Sequence, residues 1–337
     1  MNKRTTPAAA AAKVETPVPA GVNAPGFGSD VVADTLRELD IPYVALNPGA
    51  SYRGLHDSLV NYLGNERPQM LLCLHEESAV AIAQGFAKVT GRAMGAIVHS
   101  NVGLMHASMA IFNAWCDRMP VIVLGATGPV DAVKRRPWID WIHTARDQGA
   151  LVRGYVKWDD QPASPGAARE ALLRAATIAN AAPQGPVYVN LDAEMQEAKL
   201  AEPLPPIDIS RYRPRMSQAP DPEMVREAAE RLKQAKSPVI LAGRALRDIG
   251  PWNARVAIAE TLNAKVITDM KIGASFPTDH PLHLGTPGML LPDAEGLASL
   301  AAADVIVAFD WVDLGGALKA AKADGFVISA SLDHHIH

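Results

Sequence analysis

Cysteine is scarce in this chain, with only Cys73 and Cys116 among 337 residues. Each lies in an apolar segment, which argues against a disulfide framework or a multi-cysteine zinc site and suits a reducing, cytoplasmic setting. No uninterrupted apolar run approaches the roughly 20 residues of a membrane span. The alanine run at 8–12 is short and is followed by Lys13, Glu15 and several prolines, unlike the apolar core of a signal peptide. A formal net charge of −4 gives no reason to expect nucleic acid or an anionic membrane as a partner. Walker A, GxSxG and HExxH sequences are all missing, and "AGRALRDIG" keeps only Gly243 and Gly250 of a dinucleotide-binding turn.

What is present is alternation. "SDVVADTLRELD", with Ser29 or Asp30 as cap, reads as a helix, and "IPYVALNPG" as a strand ending in a Pro-Gly turn. "GLHDSLVNYL" follows as a helix and "QMLLCLHE" as a buried strand. "ESAVAIAQGFAKVTG" is a helix closed by Gly91, "AMGAIVHS" a strand, "MHASMAIFNAWCDR" a helix and "MPVIVLGAT" a strand. Short apolar strands separated by helices predict a parallel sheet covered on both faces. After "GAAREALLRAATIANAA" and the strand "GPVYVNLD", six prolines fall among residues 201–222, too many for a packed element. A second α/β pattern begins with "PEMVREAAERLKQA" and "SPVILAG" and continues to a last strand near "GFVISASLD". The expected organisation is a disordered tail over 1–26, an α/β domain over 27–198, a linker over 199–221 and a Rossmann-like α/β domain over 222–337.

Open parallel sheets bind ligands beyond the carboxyl ends of their strands. Three features of the first domain fall there: "NPGAS" (47–51), "HEE" (75–77) and "HSNVG" (99–103). Glu76 lies where a strand gives way to a helix, so it reads either as a helix cap or as a functional carboxyl group. In the second reading Leu72, Leu74, Val80 and Ile82 desolvate it and raise its pKa, letting it share a proton with a ligand nitrogen. Glu77 reads as a solvated or capping neighbour. His99 and Ser100 reach the same rim, either as hydrogen-bonded scaffold or as site residues. His56, His75, His106 and His143 show no regular metal-ligand spacing, so a protein-built zinc site is not expected.

In their order along the chain these segments resemble thiamine diphosphate-dependent enzymes of the acetolactate synthase, benzoylformate decarboxylase and pyruvate decarboxylase type. "HEESAVAIAQGFAKVTG" is similar to that family's Glu, alanine-rich helix, Gly-aromatic-Ala and closing Thr-Gly, in register through Gly85, Phe86, Ala87 and Gly91. "LNPGAS", "IVHSNVG", "FNAWCDRMPVIVLGA" and "APQGPVYVNLD" resemble segments of benzoylformate decarboxylase. The resemblance spans about residues 28 to 192 and extends more weakly into the second domain. It implies a pyrimidine-binding domain followed by a central domain.

The same resemblance implies that Glu76 bonds the cofactor's aminopyrimidine and favours the imino tautomer, whose nitrogen deprotonates the thiazolium carbon. It implies His99 as an acid or base on the substrate, and Pro48, Gly49, Ser100, Asn101 and Gly103 as shaping the cofactor pocket. Ala50 stands where benzoylformate decarboxylase has a substrate-binding serine, and Ser51 follows, so Ala50, Ser51 and His99 are the expected substrate contacts. The expected chemistry is decarboxylation or carboligation of a 2-oxo acid in a homodimer or homotetramer. No Gly-Asp-Gly occurs, so the diphosphate and its Mg²⁺ are expected on a domain outside this chain, which alone would be inactive. The alternative is a non-catalytic or split-enzyme subunit. FAD is not expected in the central domain, which is read as structural.

Overall fold

The computed structural model describes residues 24–212, 219–246, 248–285 and 292–334. Nearly all of the expected tail (1–26) and part of the expected linker (213–218) lie outside the described residues, as does Arg247 of the "AGRALRDIG" turn. The rest forms two compact units, divided within the proline-rich stretch.

The first unit is a six-stranded sheet in the order β2-β1-β3-β4-β6-β5, with every pairing parallel. The strands are β1 (Tyr43–Leu46), β2 (Gln69–Leu72), β3 (Met94–Ile97), β4 (Val121–Thr127), β5 (Asp159–Asp160) and β6 (Val187–Asp192). Helices cover both faces, as predicted. Val32, Leu36, Leu55, Leu59 and Leu172 pack against one face, while Ala79, Ala83, Leu104, Ala107 and Ile111 pack against the other. Small alanines on the second face let two helices lie close to the sheet: α3 (Glu76–Thr90) and α4 (Ser100–Cys116), which follow α1 (Gly28–Glu38) and α2 (Arg53–Asp57). The C-cap of α3, Gly91, has φ 69°, a left-handed conformation that glycine adopts at no steric cost.

One expectation about the strands is corrected. β4 and β6 are buried throughout, but β2 is an edge strand with Leu72 exposed. An edge strand keeps a neighbour on one side only, and the apolar run "QMLLCL" could not reveal which strand would be outermost. β5, two residues on the opposite edge, was not anticipated. It is too short to carry a pattern.

The second unit is a parallel five-stranded sheet in the order β11-β10-β7-β8-β9. Its strands are β7 (Pro238–Ala242), β8 (Lys265–Thr268), β9 (His283–Gly285), β10 (Val305–Phe309) and β11 (Phe326–Ala330). Apolar clusters lie on both faces. A Rossmann-type crevice would open where strand order reverses, between β7 and β10. Here that point is occupied: Arg244 pairs with Asp310 at 2.9 Å and with Asp333 at 2.8 Å, and its side chain is 6% exposed. Gly243 lies so close to the neighbouring backbone that a Cβ would stand 2.3 Å from the Asp310 carbonyl oxygen.

Candidate active site

In the first unit the order reverses between β1 and β3, and the loops after β1, β2, β3 and β4 all reach this point. After β1, residues Ala50–Tyr52 form a single tight turn that carries Ser51 inward. Ser51 is buried, whereas Pro48 and Ala50 face outward. Ser51 Oγ stands 2.9 Å from His99 Nδ1 and accepts the Ser100 backbone N–H at 3.2 Å. Ser51, and not Ala50, is therefore the residue that meets His99.

His99 caps α4 in an extended conformation, and Ser100 follows with φ 43°. A left-handed serine costs of the order of 1–3 kcal/mol and persists only where its surroundings hold it. Here its N–H bonds Ser51. The Ser100 hydroxyl donates to Asn101 Oδ1 at 3.1 Å. The imidazole of His99 rests on Gly49, where a Cβ would come within 2.4 Å of His99 Cγ. Gly49 is thus required for space and not for its φ of −156°. His99 Nε2 lies 3.3 Å from Nε2 of His143, on the loop after β4. Burial, the neighbouring His143 and, in the opposite sense, Glu76 set the pKa of His99, which is lowered overall.

Glu76 is the first residue of α3 and is 5% exposed, while Glu77 is exposed. Glu76 is not the helix cap. That role falls to His75, whose Nδ1 accepts the Glu77 N–H at 3.2 Å. Burial pushes the Glu76 pKa up, but hydrogen bonds from its own backbone N–H, the Asn47 side chain and His106 outweigh it, and the net direction is down. This corrects the expected upward shift. Leu74 is almost fully exposed, Leu72 and Ile82 are exposed, and only Val80 of the expected apolar surround is buried. Glu76 Oε2 lies 3.3 Å from His106 Nδ1. Gly103 faces the carboxylate, and a Cβ there would stand 2.9 Å from Oε1.

The structure thus draws Ser51, His99 and Ser100 into one cluster and sets Glu76 beside Gly103. Sequence reasoning did not assign roles to Asn47, His106 or His143. Asn47 was legible as part of the strand-ending turn, and His106 follows Gly103 by three residues on one helical face. His143 had no sequence signal. His75, Glu76 and His106 also bring potential ligand atoms within 4.8 Å of one another. The two imidazoles stack with their centroids 4.9 Å apart and their planes 17° from parallel, and His75 Nδ1 is already engaged as the acceptor of the Glu77 N–H.

Among the described residues no helix is long and apolar enough to cross a membrane. Residues 27–151 match the profile of the thiamine pyrophosphate enzyme N-terminal TPP-binding domain, and residues 225–334 match that of the thiamine pyrophosphate enzyme central domain. Acetolactate synthase large subunit from Corynebacterium glutamicum is 28% identical over 293 residues, covering 86% of this chain and 44% of that protein. Benzoylformate decarboxylase from Pseudomonas aeruginosa is 27% identical over 219 residues, covering 64% of this chain and 40% of that protein. The crystal structure of benzoylformate decarboxylase from Polynucleobacter necessarius superposes with a TM-score of 0.75 at 25% identity, covering 93% of this chain and 57% of that one. The chain therefore spans less than half the length of these two curated relatives.

Proposed function

The chain belongs to the thiamine pyrophosphate enzyme family, and from that premise we propose that it carries the pyrimidine end of the site in an enzyme acting beside the carbonyl of a 2-oxo acid. The reaction is a non-oxidative decarboxylation or an acetolactate synthase-like carboligation, a lyase or a transferase activity. We assign the diphosphate end and its Mg²⁺ to a domain outside these 337 residues, contributed by another subunit of the complete homodimeric or homotetrameric enzyme or by a partner chain, and expect these 337 residues alone to be inactive. A cytoplasmic setting suits the two free cysteines.

The observation that carries the reading is the pairing of Glu76 with Gly103. A buried carboxylate is held by Asn47 and His106, and opposite it is a position with no side chain, where even a methyl group would collide. Gly103 thus lets α4 lie close against the carboxylate, and a buried, hydrogen-bonded carboxylate at the strand-end rim supports the reading that it accepts a hydrogen bond from a nitrogen heterocycle. When bound, the cofactor supplies a nucleophilic carbon that stores the electron pair released as the C–C bond breaks. Glu76 contributes by holding a proton between its carboxylate and the ring nitrogen.

His99, neutral near pH 7 because its pKa is lowered, takes or gives a proton at the substrate. Ser51 orients it and contributes a hydroxyl to the 2-oxo acid. A second subunit is supported by α4, which exposes Val102, Met105, Met109 and Phe112 while its other face packs on the sheet. A helix that is apolar all round ordinarily lies between two packed layers.

The test is Glu76→Gln in the complete enzyme. Loss of about 10²–10⁴-fold in kcat with an unchanged circular dichroism spectrum is expected. Activity at the unmodified level would reject the assignment.

A further inference from the structure

His143 belongs to no motif, yet it meets His99 on the side opposite Ser51. The two Nε2 atoms are 3.3 Å apart, and the rings lie 4.6 Å apart, tilted by 58°. Between two nitrogens at that distance only one can donate, so the protonation of either ring dictates the tautomer of the other. At the far side of His99, Nδ1 faces Ser51 Oγ at 2.9 Å, and Ser51 keeps an acceptor lone pair for the Ser100 N–H. The result is an unbroken line of exchangeable protons, His143 to His99 to Ser51.

The two ends of the line differ in exposure. Ser51 is 4% exposed, whereas His143 is partly exposed. The backbone that carries His143 is also fixed. It follows the short helix α5 (Ile139–Ile142), and the His143 N–H donates to the Asp140 carbonyl. The Asp140 carboxylate is fully buried and receives the Arg136 backbone N–H at 2.6 Å and the Arg136 guanidinium at 2.8 Å. An otherwise solvent-facing loop is thereby anchored where it delivers an imidazole to His99.

We propose that His143, His99 and Ser51 form a proton relay, in which His143 is the residue that exchanges protons with solvent on behalf of the buried pair. The role of this relay in turnover rests on the reading given under Proposed function. In the inward direction, solvent protonates His143 at Nδ1. The His143 Nε2 proton passes to His99 Nε2, making His99 an imidazolium. The His99 Nδ1 proton then moves to Ser51 Oγ as the Ser51 hydroxyl releases its own proton to the substrate oxygen or carbon. One proton enters at His143 and one leaves at Ser51, and all three groups end neutral. The outward direction reverses each transfer. The charged or titratable groups facing the line are Glu76 on the His99 side and Asp140 on the His143 side, with the Tyr52 ring edge-on to His99 at 6.5 Å.

The relay is tested first on this chain, by following the ring nitrogens of His99 and His143 by NMR between about pH 5 and 9, where imidazoles titrate. Both residues are expected to report the same two midpoints, and His143→Gln should collapse His99 to a single step. In the complete enzyme, His143→Gln should lower kcat by at least about tenfold, below the range of a direct acid or base. Cofactor affinity should be unchanged, and added imidazole should restore part of the rate. Independent titration of the two histidines, or an unaltered His99 curve in the variant, would overturn the relay. Failure of the cofactor assignment itself would show separately, as full activity in Glu76→Gln with the coupled titration still present.

Discussion

Replacing Gly103 by alanine tests how tightly the candidate site is built around Glu76. The new methyl would lie 2.9 Å from Glu76 Oε1 and 3.2 Å from its Cγ, with the Val98 carbonyl carbon behind it, also at 3.2 Å. Ordinary contacts between such atoms begin near 3.4–3.5 Å. The Val98 backbone leads directly out of β3 and cannot retreat, so the carboxylate must move by about 0.5–1 Å. Overpacking of this kind costs about 1–3 kcal/mol, and alanine recovers about 1 kcal/mol over glycine inside a helix. The net loss of stability is then only about 0–2 kcal/mol.

Function should suffer far more. A displacement approaching 1 Å in a positioned group can lower rate by about 10²-fold. The assay compares urea midpoints of this chain with kcat/KM and cofactor affinity of the complete enzyme. Gly85→Ala is the control, since a Cβ there meets nothing within 4 Å, and it should raise stability by up to about 1 kcal/mol. A Gly103→Ala enzyme with near-normal kcat/KM would refute the reasoning, because the carboxylate could not then be held where it must act.

Three further outcomes follow from the same geometry. Gly49→Ala places a methyl 2.4 Å from His99 Cγ, so it should break the Ser51–His99 contact and shift the His99 ring-nitrogen resonances while leaving most backbone amide signals in place. Arg244→Ala removes the ion pairs to Asp310 and to Asp333, whose side chain is 2% exposed, and should destabilise the second unit, read as an earlier denaturant transition. The lowered pKa of Glu76 means that its ionised form stabilises the fold above its ordinary pKa of 4.5, and that this contribution is lost as pH falls through the lower folded value. Glu76→Gln should therefore unfold at lower denaturant than the unmodified chain near neutral pH, and the difference should shrink on acidification below pH 4.5.

Much of the first unit was legible because its signals are local. Strand-helix alternation follows from short apolar runs and caps, and one such junction put Glu76 at the mouth of the sheet. The two adjacent carboxylates, given different readings in sequence, take different faces of α3. The first helical residue turns toward α4 and is buried, and the second turns to solvent.

What the sequence determined unaided was the α/β class, the parallel sheets and the three segments that end at one rim, because each depends on periodicity and on residues close together in the chain. Only the tertiary structure decided that β2 is an edge, that Glu76 sits among polar partners which lower its pKa, and that Ser51 instead of Ala50 meets His99. His143 stands 44 residues after His99, and no periodicity spans that interval. Strand order and loop placement create such contacts across the whole sheet, so the energy that fixes them is absent from any local stretch of sequence.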